Sequence, residues 1–92
     1  MTLKGIVQNI NELDDSRTIY AVEPWSCSSK AALAIEPADG SLPTELESTE
    51  FAYFLEVFIA KEFLEEWAES MPGLVSAEQR CERLIMYAKD DA

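Results

Sequence analysis

Four glutamates in the second half of the chain have a spacing that could support shared chemistry. They are Glu62, Glu65, Glu66 and Glu69, at steps of three, one and three residues, and are called the glutamate row below. Residues three or four apart lie on one face of an α-helix, so the four carboxylates would stand side by side. Two carboxylates on one helical face can hold Mg²⁺ or Mn²⁺. The same row could instead attract a basic partner, or it is an ordinary solvated face.

An enzyme built on this row needs a second pair of carboxylates. The ExxE spacing resembles half of the motif of helical nucleotide pyrophosphatases, which carry an ExxD pair on a second helix. The last predicted helix of this chain offers Glu78 and Glu82, which are four residues apart, and it has no ExxD. A small Mg²⁺- or Mn²⁺-dependent nucleotide hydrolase is therefore only the second alternative. The sequence predicts no catalytic residue, no metal site and no cofactor.

Other reactive residue types are few. The chain has no histidine, which excludes Ser-His-Asp and Cys-His catalysis and histidine-ligated metals. Its two cysteines show no CxxC spacing, and Cys27 is predicted to be an ordinary loop thiol and Cys81 a core residue. Asp14 is predicted to end a helix. Asp39 lies in a turn that lacks the residue order of a calcium-binding loop.

The charge balance restricts the partners that the chain can bind. Acidic residues outnumber basic ones by 18 to 7, which gives a formal net charge of −11. The lysines and arginines are scattered, so we expect no nucleic-acid interface and no binding to anionic membranes. The charge instead favours a basic protein through fast, salt-sensitive association, although it also serves solubility alone.

Neither a membrane span nor a targeting segment is predicted. No apolar run reaches 18 residues, and the N-terminus lacks the apolar region of a signal peptide. The expected location is the cytoplasm, where both thiols would be reduced.

The spacing of apolar residues predicts the elements of the N-terminal half. The length suits a single domain over residues 1–92. A short amphipathic helix is predicted over 3–12, with Thr2 as its N-cap. Strands over 18–22 and 30–36 are predicted to form an antiparallel hairpin.

Two helices are predicted in the C-terminal half. A long helix covers about 50–70, with Ser48 or Thr49 as its N-cap, and a last helix covers about 76–90, with Ser76 and Gln79 as its capping box. The fold class is therefore α+β, in the order α-β-β-α-α. Since two strands alone are marginal, the hairpin is expected to pack on the helices or to be extended by a partner or a second copy.

Nine of the ten residues from 51 to 60 are apolar, which gives the predicted long helix two apolar sides. The first side faces the core: Tyr53, Val57, Ala60, Leu64, Trp67 and Met71. The second side covers the early turns and is called the aromatic stripe: Phe51, Phe54, Leu55, Phe58 and Ile59. A helix apolar on both sides is normally buried on both. The alternative is that the aromatic stripe is a dimer face.

Trp25 follows Pro24 in the loop between the two predicted strands. We interpret it as a side chain that plugs the core. The alternative is an exposed aromatic anchor for a partner.

Together these patterns favour a non-enzymatic acidic domain that binds, and inhibits, a basic protein. The most concrete version is a bacterial immunity or antitoxin-like inhibitor of a nucleic-acid-cutting toxin, and a DNA mimic is a neighbouring version. The expected contact residues are the glutamate row and Trp25. The main alternative is a structural or adaptor module that forms homodimers through the aromatic stripe.

Overall fold

The fold is α+β, and the described part of the chain forms a three-stranded antiparallel sheet and three helices in the order α-β-β-β-α-α. The computed structural model describes residues 1–46, 49–71, 73 and 75–91, without the side chain of residue 91. The elements of the described chain are α1 (Leu3–Gln8), β1 (Thr18–Val22), β2 (Ala31–Ala34), β3 (Phe51–Glu56), α2 (Val57–Ser70) and α3 (Ala77–Asp91). Short 3₁₀ helices follow α1 at Ile10–Glu12 and precede β3 at Thr44–Leu46.

The N-terminal helix begins where the sequence predicts and ends earlier. The Thr2 hydroxyl accepts a hydrogen bond from the Gly5 amide at 3.1 Å, as an N-cap does. At Asn9 the side-chain amide also donates to the Gly5 carbonyl, at 3.1 Å. Such local bonds compete with helix propagation, and the chain continues as a 3₁₀ helix.

The predicted hairpin is present, and β1 is the central strand of a sheet in the order β2-β1-β3. One sheet face carries Ile19 and Ala21 into the main core beneath the helices. The other face carries Tyr20 against Leu46, which belongs to the loop before β3. Alternate residues of β1 therefore hold together two separate apolar clusters.

The long helix predicted over 50–70 is wrong in its first turns, because residues 51–56 form β3. This strand pairs with β1, and the register shifts between Ile19 and Tyr20, which lie opposite Leu55 and Tyr53. Phe54 is thus the extra residue of a β-bulge, and the bulge interrupts the alternation of faces so that Phe54 and Leu55 are both buried.

Residues 51–56 can form a strand and not the predicted helix because a short apolar run is compatible with both kinds of element. Aromatic side chains favour strands, and a run that is apolar on both sides also suits a strand covered on both faces. The α2 helix begins only at Val57, with Glu56 as an N-cap that makes no side-chain capping bond. Ser48, a candidate cap in the sequence, lies outside the described residues.

The last helix is placed as predicted. The Gln79 amide donates to the Ser76 hydroxyl at 3.1 Å, and the Ser76 amide donates to the Gln79 side chain at 2.8 Å. These reciprocal bonds form the expected capping box. The helix packs against both α1 and α2. No helix in the described part of the chain is long and apolar enough to cross a bilayer.

Truncation at two phenylalanines tests the strand. Phe54→Ala should lower the free energy of unfolding by about 3–5 kcal/mol, because the side chain is 2% exposed. Phe58→Ala should cost less than about 1 kcal/mol, because that side chain is 43% exposed. Urea denaturation followed by circular dichroism measures both variants.

If Phe54→Ala does not fold, the milder substitution Phe54→Leu replaces it in the comparison. This variant should still lower the free energy of unfolding by about 1 kcal/mol or more. Equal losses at positions 54 and 58 would contradict the strand, since both residues would then lie on one side of a single helix.

Candidate functional site

The glutamate row lies along the outer face of α2. Val57, Ala60 and Leu64 are buried on the inner face of this helix and fix its orientation on the core. With 3.6 residues per turn, the four glutamates fall on the opposite side, and all four are exposed. The spacing therefore places the carboxylates together, as the sequence indicates.

Lys61 is the base nearest to the row in sequence, yet it binds elsewhere. Its Nζ donates to the carbonyl oxygen of Leu13 at 2.7 Å and to Oδ1 of Asp15 at 2.6 Å. Within the described ranges of the chain, Lys61 and Asp15 form the only ion pair. Lys61 consequently forms no ion pair with the row, although it lines the surface pocket beside Glu65.

The arginines of α3 also leave the row unpaired. Arg80 borders a surface pocket of about 380 Å³ together with Glu65, without an ion pair between them. The guanidinium of Arg83 lies 6.0 Å from the centre of the Phe63 ring, which stacks on Tyr87 at 4.3 Å. Arg83 thus supports the contact between α2 and α3 through a cation–π interaction.

Trp25 packs against the core from the loop between β1 and β2. Its ring meets the Phe54 ring edge to face, with 4.8 Å between centroids. Its Nε1 donates to the carbonyl oxygen of Ala21 at 3.3 Å. The side chain is half-buried, so it fills the position of a plug and still presents part of its surface.

That remaining surface borders a pocket of about 410 Å³ between the loop and α3. The pocket is lined by Trp25, Ser26, Cys27, Ser28, Glu78, Glu82 and Ile85. The carboxylates beside Trp25 are therefore Glu78 and Glu82, which the sequence offers only as a second carboxylate pair with the wrong spacing for a metal. Their four-residue spacing places them on one helix face. No local pattern shows that the loop lies over them.

Trp25 and the glutamate row occupy separate surfaces. Glu78 borders the Trp25 pocket, whereas Arg80 borders the pocket beside Glu65. Positions 78 and 80 are about 200° apart around a helix, so these pockets lie on opposite flanks of α3. The structure does not join the two predicted contact regions into one patch.

The aromatic stripe is divided by the change from strand to helix. Phe54 and Leu55 are buried in the core, and Phe51 packs against the second apolar cluster. Ile59 is half-buried, and Phe58 is exposed. Two of the five residues offered for a dimer face are thus already enclosed within the chain.

Two further carboxylates are engaged in turns. Asp14 accepts hydrogen bonds from the amide and hydroxyl of Ser16, and Asp39 does the same with Ser41. These bonds hold the pKa of each carboxyl below its usual value. Among the described residues, no three Asp, Glu or Cys side chains are grouped so that they could hold a metal ion.

Comparisons with protein-family models, curated proteins and solved structures found no match to this chain. Function must therefore be inferred from the chain's own geometry and charge.

Neutralising the row should stabilise the fold. The four glutamates form like-charge pairs at separations of three and four residues, and each such pair costs a few tenths of a kcal/mol. The combined Glu62→Gln, Glu65→Gln, Glu66→Gln and Glu69→Gln variant should gain about 1 kcal/mol in urea unfolding at low salt. The gain should shrink at high salt, because salt screens exposed charges.

A matched control removes the same charge elsewhere. It carries glutamine at four exposed positions: Glu12, Glu23, Glu45 and Glu50. This control should gain less than the row variant. Equal gains, or a loss of stability in the row variant, would show that the row carries no local repulsion.

Proposed function

We propose that this protein is a non-enzymatic acidic interaction domain that binds a basic protein partner. The single observation that carries the proposal is the row of four exposed carboxylates whose neighbouring base, Lys61, is held by Asp15 and Leu13. A row that keeps its charge at a cost in helix stability is available for a cationic surface.

The chemistry of the partner follows from this charge. A surface of clustered lysines and arginines would be steered to the row at long range and held by charge-assisted hydrogen bonds. A nucleic-acid-cutting toxin has such a surface, because its site must bind phosphates. The concrete form of the proposal is therefore a bacterial immunity or antitoxin-like inhibitor that acts in the cytoplasm. A DNA mimic is the neighbouring form.

The Trp25 pocket offers a second contact on the other flank of α3. A half-buried tryptophan with Glu78 and Glu82 beside it suits a lysine or arginine side chain, which can meet both an aromatic ring and a carboxylate. The partner would then contact two faces of the domain, with the row as the larger attraction.

One observation favours a second candidate, a module that forms homodimers. β3 is a six-residue strand at the edge of the sheet, and edge strands readily pair with another chain. Tyr53 on this strand is 43% exposed. Antiparallel pairing of two β3 strands would extend the sheet across both copies, with Phe58 close to the junction.

A pull-down from lysate of the source organism tests the proposal, with the wild type, the row variant and its matched control as baits. We expect one basic protein to be retained by the wild type and the control at low salt and released at high salt. The row variant should lose it. Mass spectrometry of the bound fraction identifies the protein.

Two outcomes would contradict the proposal. The first is equal retention of the partner by the row variant and the control. The second is recovery of the protein itself alone, as a dimer, which would favour pairing through β3.

A further inference from the structure

We propose that Cys27 and Cys81 are the two halves of an oxidation site, and that a disulfide between them ties the loop of Trp25 to α3. They are the only cysteines of the chain and lie far apart in sequence. Both are free thiols in the structure. The fold nevertheless packs Cys27, which borders the Trp25 pocket, against the core cluster that contains Cys81. This inference is independent of the proposed partner.

Backbone contacts with α1 fix Cys27 in place. The Lys4 amide donates to the carbonyl oxygen of Cys27, and the Leu3 amide donates to that of Ser29, both at 3.1 Å. These bonds fix the loop on the N-terminus of α1, which itself packs against α3. The Cys27 thiol then reaches α3 and lies 3.8 Å from the carbonyl oxygen of Glu78.

Helix geometry directs Cys81 toward the same point. Side chains of an α-helix lean toward its N-terminus, so Cys81 covers the turn that begins at Glu78. Cys81 is 1% exposed, and the neighbouring Cys27 thiol contributes to the raised pKa of its thiol. Cys27 is half-buried and borders the pocket, so it is the thiol that a reagent from solvent reaches first.

The reaction is thiol–disulfide exchange with a small-molecule disulfide as the oxidant. The Cys27 thiolate attacks one sulfur of the oxidant, whose sulfur–sulfur bond breaks and releases one thiolate. Cys81 loses its proton to solvent and attacks Sγ of Cys27, which expels the second thiol. The balance is two protein thiols and one oxidant disulfide giving one protein disulfide and two small thiols.

The second step should be slow and should depend on pH. In the reduced protein burial, followed by the interaction with the Cys27 thiol, raises the pKa of the Cys81 thiol to about 12. Burial is the largest cause, and it persists once Cys27 is in the mixed disulfide. Only the thiolate attacks, so ring closure should speed up about tenfold per pH unit between about pH 7 and 9.

Oxidised glutathione added to the purified full chain is the test. We expect a product lighter by two hydrogens that resists thiol alkylation without prior reduction. Trypsin should release residues 18–30 joined to residues 81–83, because cleavage follows Arg17, Lys30, Arg80 and Arg83. Because the bond closes a long loop, the Tm of the oxidised protein should rise by about 10 °C and return on reduction.

Variants that lack one cysteine test which thiol reacts with glutathione first. Cys81→Ala should accumulate a stable glutathione adduct at Cys27, whereas Cys27→Ser should resist the reagent because Cys81 is buried. If Cys81→Ala fails to fold, the mass and the linked tryptic peptides of the oxidised wild type still decide the question. A wild type that keeps the glutathione adduct at Cys27, or that forms only disulfides between chains, would overturn the proposal.

Discussion

Lys61 lies with its Nζ 2.6 Å from Asp15 and 2.7 Å from the carbonyl oxygen of Leu13, and the charge on the outer face of α2 depends on that contact. It joins α2 to the segment that leads into β1, so the long helix is held against the N-terminal half of the chain. It also removes the one base that stands within the acidic helix. The outer face of α2 therefore keeps its negative charge, which is the basis of the proposed binding to a cationic partner.

The direct junction between β3 and α2 determines where the negatively charged face of α2 lies. No loop separates the two elements. The Val57 amide donates to the carbonyl oxygen of Arg17 at 3.0 Å, so the backbone hydrogen bonds between β3 and the β1 segment continue into the first residue of α2. The bulge at Phe54 buries two successive side chains and anchors this continuous segment. One continuous segment thus contributes both to the core, through β3, and to the charged surface, through α2.

Local patterns predicted the elements that local interactions build. The β1 boundaries, the Thr2 cap and the Ser76–Gln79 capping box each depend on residues within a few positions of one another. β3 was missed because its bulky residues recur at spacings that also suit a helix, and pairing with β1 decided the outcome. The approach of Cys27 to Cys81, and of Trp25 to Glu78, follows from tertiary packing and leaves no periodic signal.

The association rate constant of a basic partner retained in the pull-down, measured by stopped flow over a range of salt concentrations, tests directly whether the glutamate row attracts it. Electrostatic steering by the glutamate row predicts a rate constant that falls steeply with salt for the wild type and only weakly for the row variant. The same slope in both proteins would contradict the account, because the attraction would then come from other charges.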